Sequence, residues 1–366
     1  MHKIIGVIIL IISLGILALA MNQSFINKVK QDRYFAHLDP PVKKSLYQKI
    51  FLRSDTWEYG DLFGISFLPS YKIKLIPFKK YHQSANHLAT NKILYIIGDS
   101  FLADKTLNGA FDKFDEVVFL DRRFGFGPIK LDSTKQNYLI MEFAELNLVQ
   151  FDLFKTDEVL LPSAGIKTKI NYAANAGVSK VRVFDSGFNR LGNIIFNKDL
   201  SRNLETIIFG DKIFTPFKEL KAAINYDLLG RLPKEVAVST DKKRLLLNST
   251  VDTSSYTSDF RQLTISKLDS IKANLDIANS YYKAIGFKEV YLAIIPNAAS
   301  VYDYRRRTYN HLIEKVEKVT LSPSISIYNT FLSNKQNLYS LSDAHWNTDG
   351  FELWIKKANS MIDTAK

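Results

Sequence analysis

The segment Ile93-Leu94-Tyr95-Ile96-Ile97-Gly98-Asp99-Ser100-Phe101-Leu102 sets five consecutive apolar residues before a glycine, an acid and a hydroxyl. An unbroken apolar run of this length suits a strand covered on both faces, as in a parallel sheet. Gly98 lets the backbone turn sharply out of such a strand, and a helix is expected after Ser100. Comparable runs follow at Val117-Val118-Phe119-Leu120, Tyr138-Leu139-Ile140-Met141, Val290 to Ile295 and Ile325 to Tyr328. Between them lie helical periodicities. Leu268, Ile271, Leu275, Ala278 and Tyr282 form one stripe, and Phe351, Trp354, Ile355, Ala358 and Ile362 form another. Strands alternating with helices imply βαβ units, so an α/β fold with a mostly parallel sheet is expected. From about 165 to 255 the rhythm breaks, and this stretch reads as an insertion or cap. It carries a helix start at Thr215-Pro216, a stop at Gly230 and a strand-like run from Val236 to Ser239.

The wider composition agrees with a folded body. Of 366 residues, 46% are apolar and 23% charged, which excludes intrinsic disorder and a coiled-coil rod. There is no cysteine, hence no disulfide framework, no thiolate-ligated metal and no thiol nucleophile. The net charge is +12, almost all of it beyond the first 21 residues, and favours an anionic polymer or anionic lipid headgroups. No nucleic-acid-binding motif accompanies that charge.

Ile4 to Met21 contain no charged residue, and eighteen such residues rise ~27 Å as a helix, near the hydrocarbon thickness of a bilayer. Residues 1–21 are therefore expected to be a signal-anchor helix. A cleaved signal peptide ending at Ala18-Leu19-Ala20 is the alternative. Residues 22–90 read as a stalk and lead-in, and 91–366 as the main domain. Lys3 precedes the apolar run while Lys28, Lys30 and Arg33 follow it, so charge alone does not orient the helix.

Ser100 at the carboxyl end of a parallel strand occupies the edge where open α/β sheets bind ligands. A helix amino terminus there would add N–H donors for a developing oxyanion. Serine needs an adjacent base. Of six histidines, only His345 has a carboxylate close by in a structured-looking loop, Ser342-Asp343-Ala344-His345-Trp346-Asn347. Residues two apart in an extended loop share a side, so Asp343 can reach the ring of His345. Taken singly, either segment would also serve as a helix-entry turn with a capping side chain. A metal site is disfavoured, because one His and one Asp supply only two ligands.

Together the Gly98-Asp99-Ser100 and Asp343-Ala344-His345-Trp346 motifs resemble the SGNH (GDSL-type) hydrolase superfamily. The Asp-x-His-Trp form is similar to the branch that O-acetylates alginate and related envelope polysaccharides. The resemblance extends to Ile140-Met141-Glu142 and to Pro296-Asn297 with Tyr302, and covers roughly residues 91–160 and 288–360. Chain order departs from the alginate proteins, whose Asp-x-His block precedes the serine. Serine first and histidine last matches ordinary SGNH hydrolases and the membrane-anchored proteins that aid teichoic-acid D-alanylation. What the resemblance implies is a three-layer α/β/α sandwich in which Ser100 is the nucleophile, His345 the base and Asp343 its orienter. The backbones of Ser100 and of Gly125 or Gly127 are the oxyanion candidates. Asp99, Arg122, Arg123, Glu142, Asn297 and Trp346 are candidate substrate-binding residues. An α/β-hydrolase would want Gly-x-Ser-x-Gly and a wider Asp–His spacing.

The expected activity is therefore acyl transfer, with acetyl the expected group, through an acyl-serine to an envelope polysaccharide. It requires no cofactor, places the bulk of the chain outside the cytoplasm, and by analogy draws acyl groups from a multi-pass membrane O-acyltransferase partner. An envelope glycan esterase and a non-catalytic envelope assembly factor are the alternatives.

Overall fold

The computed structural model describes residues 2–35, 45–52, 59–74, 76–84, 87–103, 105–123, 129, 131–153 and 199–364. These residues fall into two compact units. One is drawn from Met1–Tyr59, Phe67–Ser70 and Gly177–Arg231, the other from Gly60–Ser66, Tyr71–Ala176 and Leu232–Lys366.

The larger unit is α/β. Strands β1 (Lys92–Gly98), β2 (Glu116–Asp121), β3 (Gln136–Ala144) and β6 (Phe287–Ile295) form a parallel sheet in the order β2-β1-β3-β6. Its central strands are buried almost end to end, which is why the sequence shows continuous apolar runs instead of alternation. The small antiparallel pair β4 (Val236–Val238) and β5 (Leu245–Leu247) stands apart from it.

Helices pack into the same core as the sheet. The short helices α3 (Asp61–Ser66) and α4 (Glu145–Leu148) lead into the site. The stripe expected around residue 275 lies on α7 (Ile265–Ala284), and its Ile271, Leu275, Ala278 and Tyr282 are buried. The last helix, α8 (Thr348–Thr364), buries Phe351, Trp354, Ile355, Ala358 and Ile362 in the same core.

Two expectations about local structure are corrected. Ile325 to Tyr328 do not form a strand. Ser324 makes an isolated bridge to Leu292, flanked by the Leu292 N–H to Pro323 and the Ile325 N–H to Leu292, and helix begins at Tyr328. Pro323 lacks a donor, which limits pairing at this edge. Nor does a helix follow Ser100. Residues 100–103 make one turn, with the Leu102 and Ala103 N–H groups on the Asp99 carbonyl. The following Asp104, Thr106, Asn108 and Gly109 favour turns and do not propagate helix. Residues 165–198 of the stretch expected as a cap lie outside the described residues, as do Gly125 and Gly127.

The smaller unit begins with α1 (His2–Met21), within which Lys3–Met21 is long and apolar enough to cross a membrane and almost wholly exposed. A single-pass anchor and a signal sequence both fit it. Next come α2 (Gln23–Phe35), α5 (Leu200–Ile208) and α6 (Thr215–Ala223). Their packing is pinned by polar bonds. The Asn203 amide on α5 donates to the Ala20 carbonyl and to Gln23 Oε1, each at 3.0 Å, and Arg33 Nη1 donates to the Thr206 carbonyl at 3.2 Å.

An ionisable group lies at the heart of the sheet. Glu142 on β3 is fully buried, and its Oε2 accepts the Asp99 N–H at 2.8 Å. A methyl added at Gly98 would stand 2.4 Å from that oxygen, so glycine is needed to admit the carboxyl group. Burial, then the nearby Asp99 charge, hold the Glu142 pKa well above its ordinary value. A raised acid stabilises the fold fully below its unfolded pKa of ~4.3 and loses that contribution as pH rises. Glu142→Gln keeps the acceptor and is expected to match wild-type stability near pH 4. Above that it should gain progressively on wild type, as read from denaturant midpoints between pH 4 and 9. A pH-independent loss of more than about 2 kcal/mol would show that the carboxylate itself is needed.

Candidate active site

Ser100 follows β1 directly and stands in the turn whose shape Asp99 determines. Asp99 Oδ1 accepts the Phe101 N–H at 3.1 Å, while Oδ2 accepts the Ala144 N–H at 3.1 Å and the Asn147 amide at 2.8 Å. The residue before the hydroxyl is thus tied to the neighbouring strand and to α4.

The other half of the site comes from residues 342–347. The loop is not extended as expected: it turns at 341–342 and bends at 344–345, with the Asp343 carboxylate bonding the backbone N–H two residues on. Trp346 turns into the core, where Nε1 donates to the Phe101 carbonyl at 3.2 Å and the ring lies 5.8 Å from Trp354 and 6.0 Å from Phe351. Asp343 and His345 face the serine turn. His345 Nε2 is 2.8 Å from Ser100 Oγ, and its Nδ1 is 2.7 Å from Asp343 Oδ1. The His345 N–H also donates to Asp343 Oδ1 at 2.9 Å, closing the loop on itself. Phe101 packs against the imidazole at 4.9 Å, so hydroxyl and ring share a wall.

A third acid joins them that sequence reasoning missed. Asp61, at the start of α3, places Oδ2 3.6 Å from His345 Nδ1. Its own N–H donates to Asp343 Oδ2 at 3.1 Å, and its Oδ1 accepts the Ala344 N–H at 2.9 Å. The Leu62 and Phe63 N–H groups both bond the Ser342 carbonyl. The preceding Gly60 has φ +102° with a virtual Cβ 2.4 Å from that same carbonyl, so only glycine lets α3 approach so closely. A lone Asp-Leu pair 282 residues upstream of the loop offered no motif, although Gly60 before it was a trace of the close approach.

The electrostatics follow from this arrangement. Burial raises the Asp343 pKa, but the hydrogen bond and charge of His345 outweigh it and leave it lowered. Burial, then the Asp343 charge, push Asp61 up to about 7. Burial opposes the imidazolium of His345, yet the hydrogen bond and charge of Asp343 and the charge of Asp61 push its pKa up to about 9. The stabilisation of the imidazolium is present below pH ~6.5 and is lost as pH rises through about 9. Ligand atoms of Asp61, Asp343 and His345 lie within 4.8 Å of one another, close enough for a cation, but the imidazole nitrogens are engaged by Asp343 and Ser100.

The structure brings Ser100, His345 and Asp343 together and holds the other described candidates in the contacts that follow. Asp99 and Glu142 are buried beneath the serine turn, and Trp346 anchors the histidine loop. Arg123 makes a two-pronged pair with buried Asp121, at 2.9 and 2.7 Å. Arg122 stacks over Phe143 at 3.9 Å and donates to the Glu142 carbonyl. Asn297 is buried, with its N–H on Glu145 and its amide on Asp259. Asn147 is an exposed amide bound to Asp99 that the sequence analysis had passed over.

Replacing Asp61 by Asn removes one negative charge beside His345 and keeps an acceptor for the Ala344 N–H. The ring protons of His345, followed by NMR in the native chain, should report loss of the imidazolium proton near pH 9. In Asp61→Asn that transition should move to lower pH. An unmoved profile would exclude coupling between Asp61 and His345.

Comparisons with protein-family models, with curated proteins and with solved structures give no match for the chain, so the site stands on its own geometry.

Proposed function

We propose that this chain is a membrane-anchored serine acyltransferase of SGNH-like, three-layer α/β/α build, moving an acyl group, acetyl foremost, onto an envelope polysaccharide. The observation that carries the reading is the continuous relay Ser100 Oγ–His345 Nε2/Nδ1–Asp343 Oδ1 at 2.8 and 2.7 Å. Such a relay is the general requirement for making a serine hydroxyl nucleophilic. The apolar α1 supports a tether and the basic surplus an anionic surface or polymer nearby, while an envelope acceptor requires the bulk of the chain outside the cytoplasm. A multi-pass membrane O-acyltransferase is the proposed source of acyl groups.

In the first half-reaction Ser100 Oγ bonds to the acyl carbon as its proton passes to His345 Nε2. The donor's leaving group then departs with that proton. In the second half, a sugar hydroxyl gives its proton to His345 and attacks the acyl carbon, and Ser100 leaves as the restored alcohol. Asp343 keeps the imidazole oriented and stabilises its charge. Two donors are proposed for the developing oxyanion, the Ser100 N–H and the Asn147 amide. No acceptor for the Ser100 N–H is found among the described residues, and the amide carries one N–H beyond its bond to Asp99. Water in place of the sugar would make the same machinery an esterase.

Ser100→Ala should abolish polysaccharide acetylation in the native host, and in vitro cut acyl turnover by about 10⁴-fold or more. Unchanged acetyl content would remove the catalytic reading. Acetate released from p-nitrophenyl acetate as fast without acceptor as with it would assign hydrolysis instead. Chelators are expected to leave the rate unchanged. Asn147→Ala should lower kcat by about 10²–10³-fold with little change in KM; a change confined to KM would take Asn147 out of the oxyanion site.

A further inference from the structure

The segment after α5 carries its amphipathicity inside out. Phe209, Ile213, Phe217, Leu220, Ile224 and Leu228 recur at intervals of four, four, three, four and four. They run along a 3-10 turn (Lys212–Phe214), α6 and a π turn (Ile224–Leu228), and each is between 45% and 77% exposed. The opposite face is the one turned inward. There Thr215 is buried, Lys218, Glu219, Ala222 and Ala223 are half-buried, and the Lys218 ammonium sits 4.7 Å over the Phe67 ring. A helix facing water would present the reverse. Six large apolar side chains in one exposed line demand an apolar phase.

Their place in the same compact unit as α1 says which phase. The Asn203 bonds to Ala20 and Gln23 fix α5 across the carboxyl end of α1, where an apolar span meets water. Phe209 lies six residues beyond Asn203, ~9 Å along a helix. Exposed Lys221 and Arg231 border the stripe against one exposed acid, Asp227, so apolar burial outweighs charge in the attachment.

We propose that residues 209–229 form an in-plane helix that sinks this stripe into the headgroup–acyl boundary beside α1, a second membrane contact of the chain. The proposal rests on α1 being a membrane helix and is independent of the acyl chemistry. Because the chain has no cysteine, nitroxide labels can be placed singly. The full chain, carrying Phe217→Cys, Leu220→Cys, Ile8→Cys or Tyr256→Cys, would be reconstituted in phosphatidylethanolamine–phosphatidylglycerol vesicles. Collision rates with oxygen and with a water-soluble nickel chelate would then be compared. Ile8 is the lipid reference, and Tyr256, 70% exposed, the water reference. Labels at 217 and 220 should lose most nickel collisions while keeping oxygen collisions, as at position 8. Accessibility to both reagents, as at 256, overturns the proposal, and accessibility to neither means a protein surface covers the stripe and overturns it too. A label at position 8 without the lipid signature would overturn anchor and proposal together.

Discussion

Asp343 is the group on which the site depends. Its carboxylate receives the imidazole and backbone N–H of His345 on one oxygen and the backbone N–H of Asp61 on the other. Three donors around a buried acid compensate its loss of water and keep it ionised. The same bonds set the ring's angle toward Ser100. Removing the carboxylate would loosen α3, the histidine loop and the imidazole at once, so the three move as one unit in energetic terms.

Around that anchor the fold tolerates an unusual density of interior acids. Asp99, Glu142, Glu145 and Asp259 are all buried on or near the carboxyl ends of the strands. Asp99 is satisfied by backbone and amide donors. Glu142, Glu145 and Asp259 are pushed upward by burial, toward the neutral form. Glu145 also collects the Asn297 N–H, the Ser300 hydroxyl and the Tyr309 hydroxyl. These groups fix loop geometry through directional bonds that apolar packing alone does not supply.

The sheet and the triad were legible in the sequence for different reasons. Ile93–Ile97 and Val290–Ile295 announce buried parallel strands because both faces are covered, which leaves no polar positions to disguise the run. Asp343 and His345 were legible because their coupling is local, two residues apart. Asp61 was hidden because its partner is remote and its role is carried by its backbone N–H as much as by its side chain. Glu142 and Asn297 were taken for contact residues. A single chain distinguishes an acid facing a cleft from one under a glycine only through the packing itself. The helix expected after Ser100 gave way to a turn because Asp99 bonds its own loop and the following residues favour turns. The sequence analysis did not read the stripe from Phe209 to Leu228, whose spacing alone does not say which face points outward.

The groups gathered at Ser100 come from residue 61 and residues 343–345, so nearly the whole length of the polypeptide must be in place before its hydroxyl meets the imidazole. A partly folded chain would leave that hydroxyl without its imidazole partner. The hydrogen-bonded relay is therefore a property of the completed tertiary structure, held by no single segment of the chain.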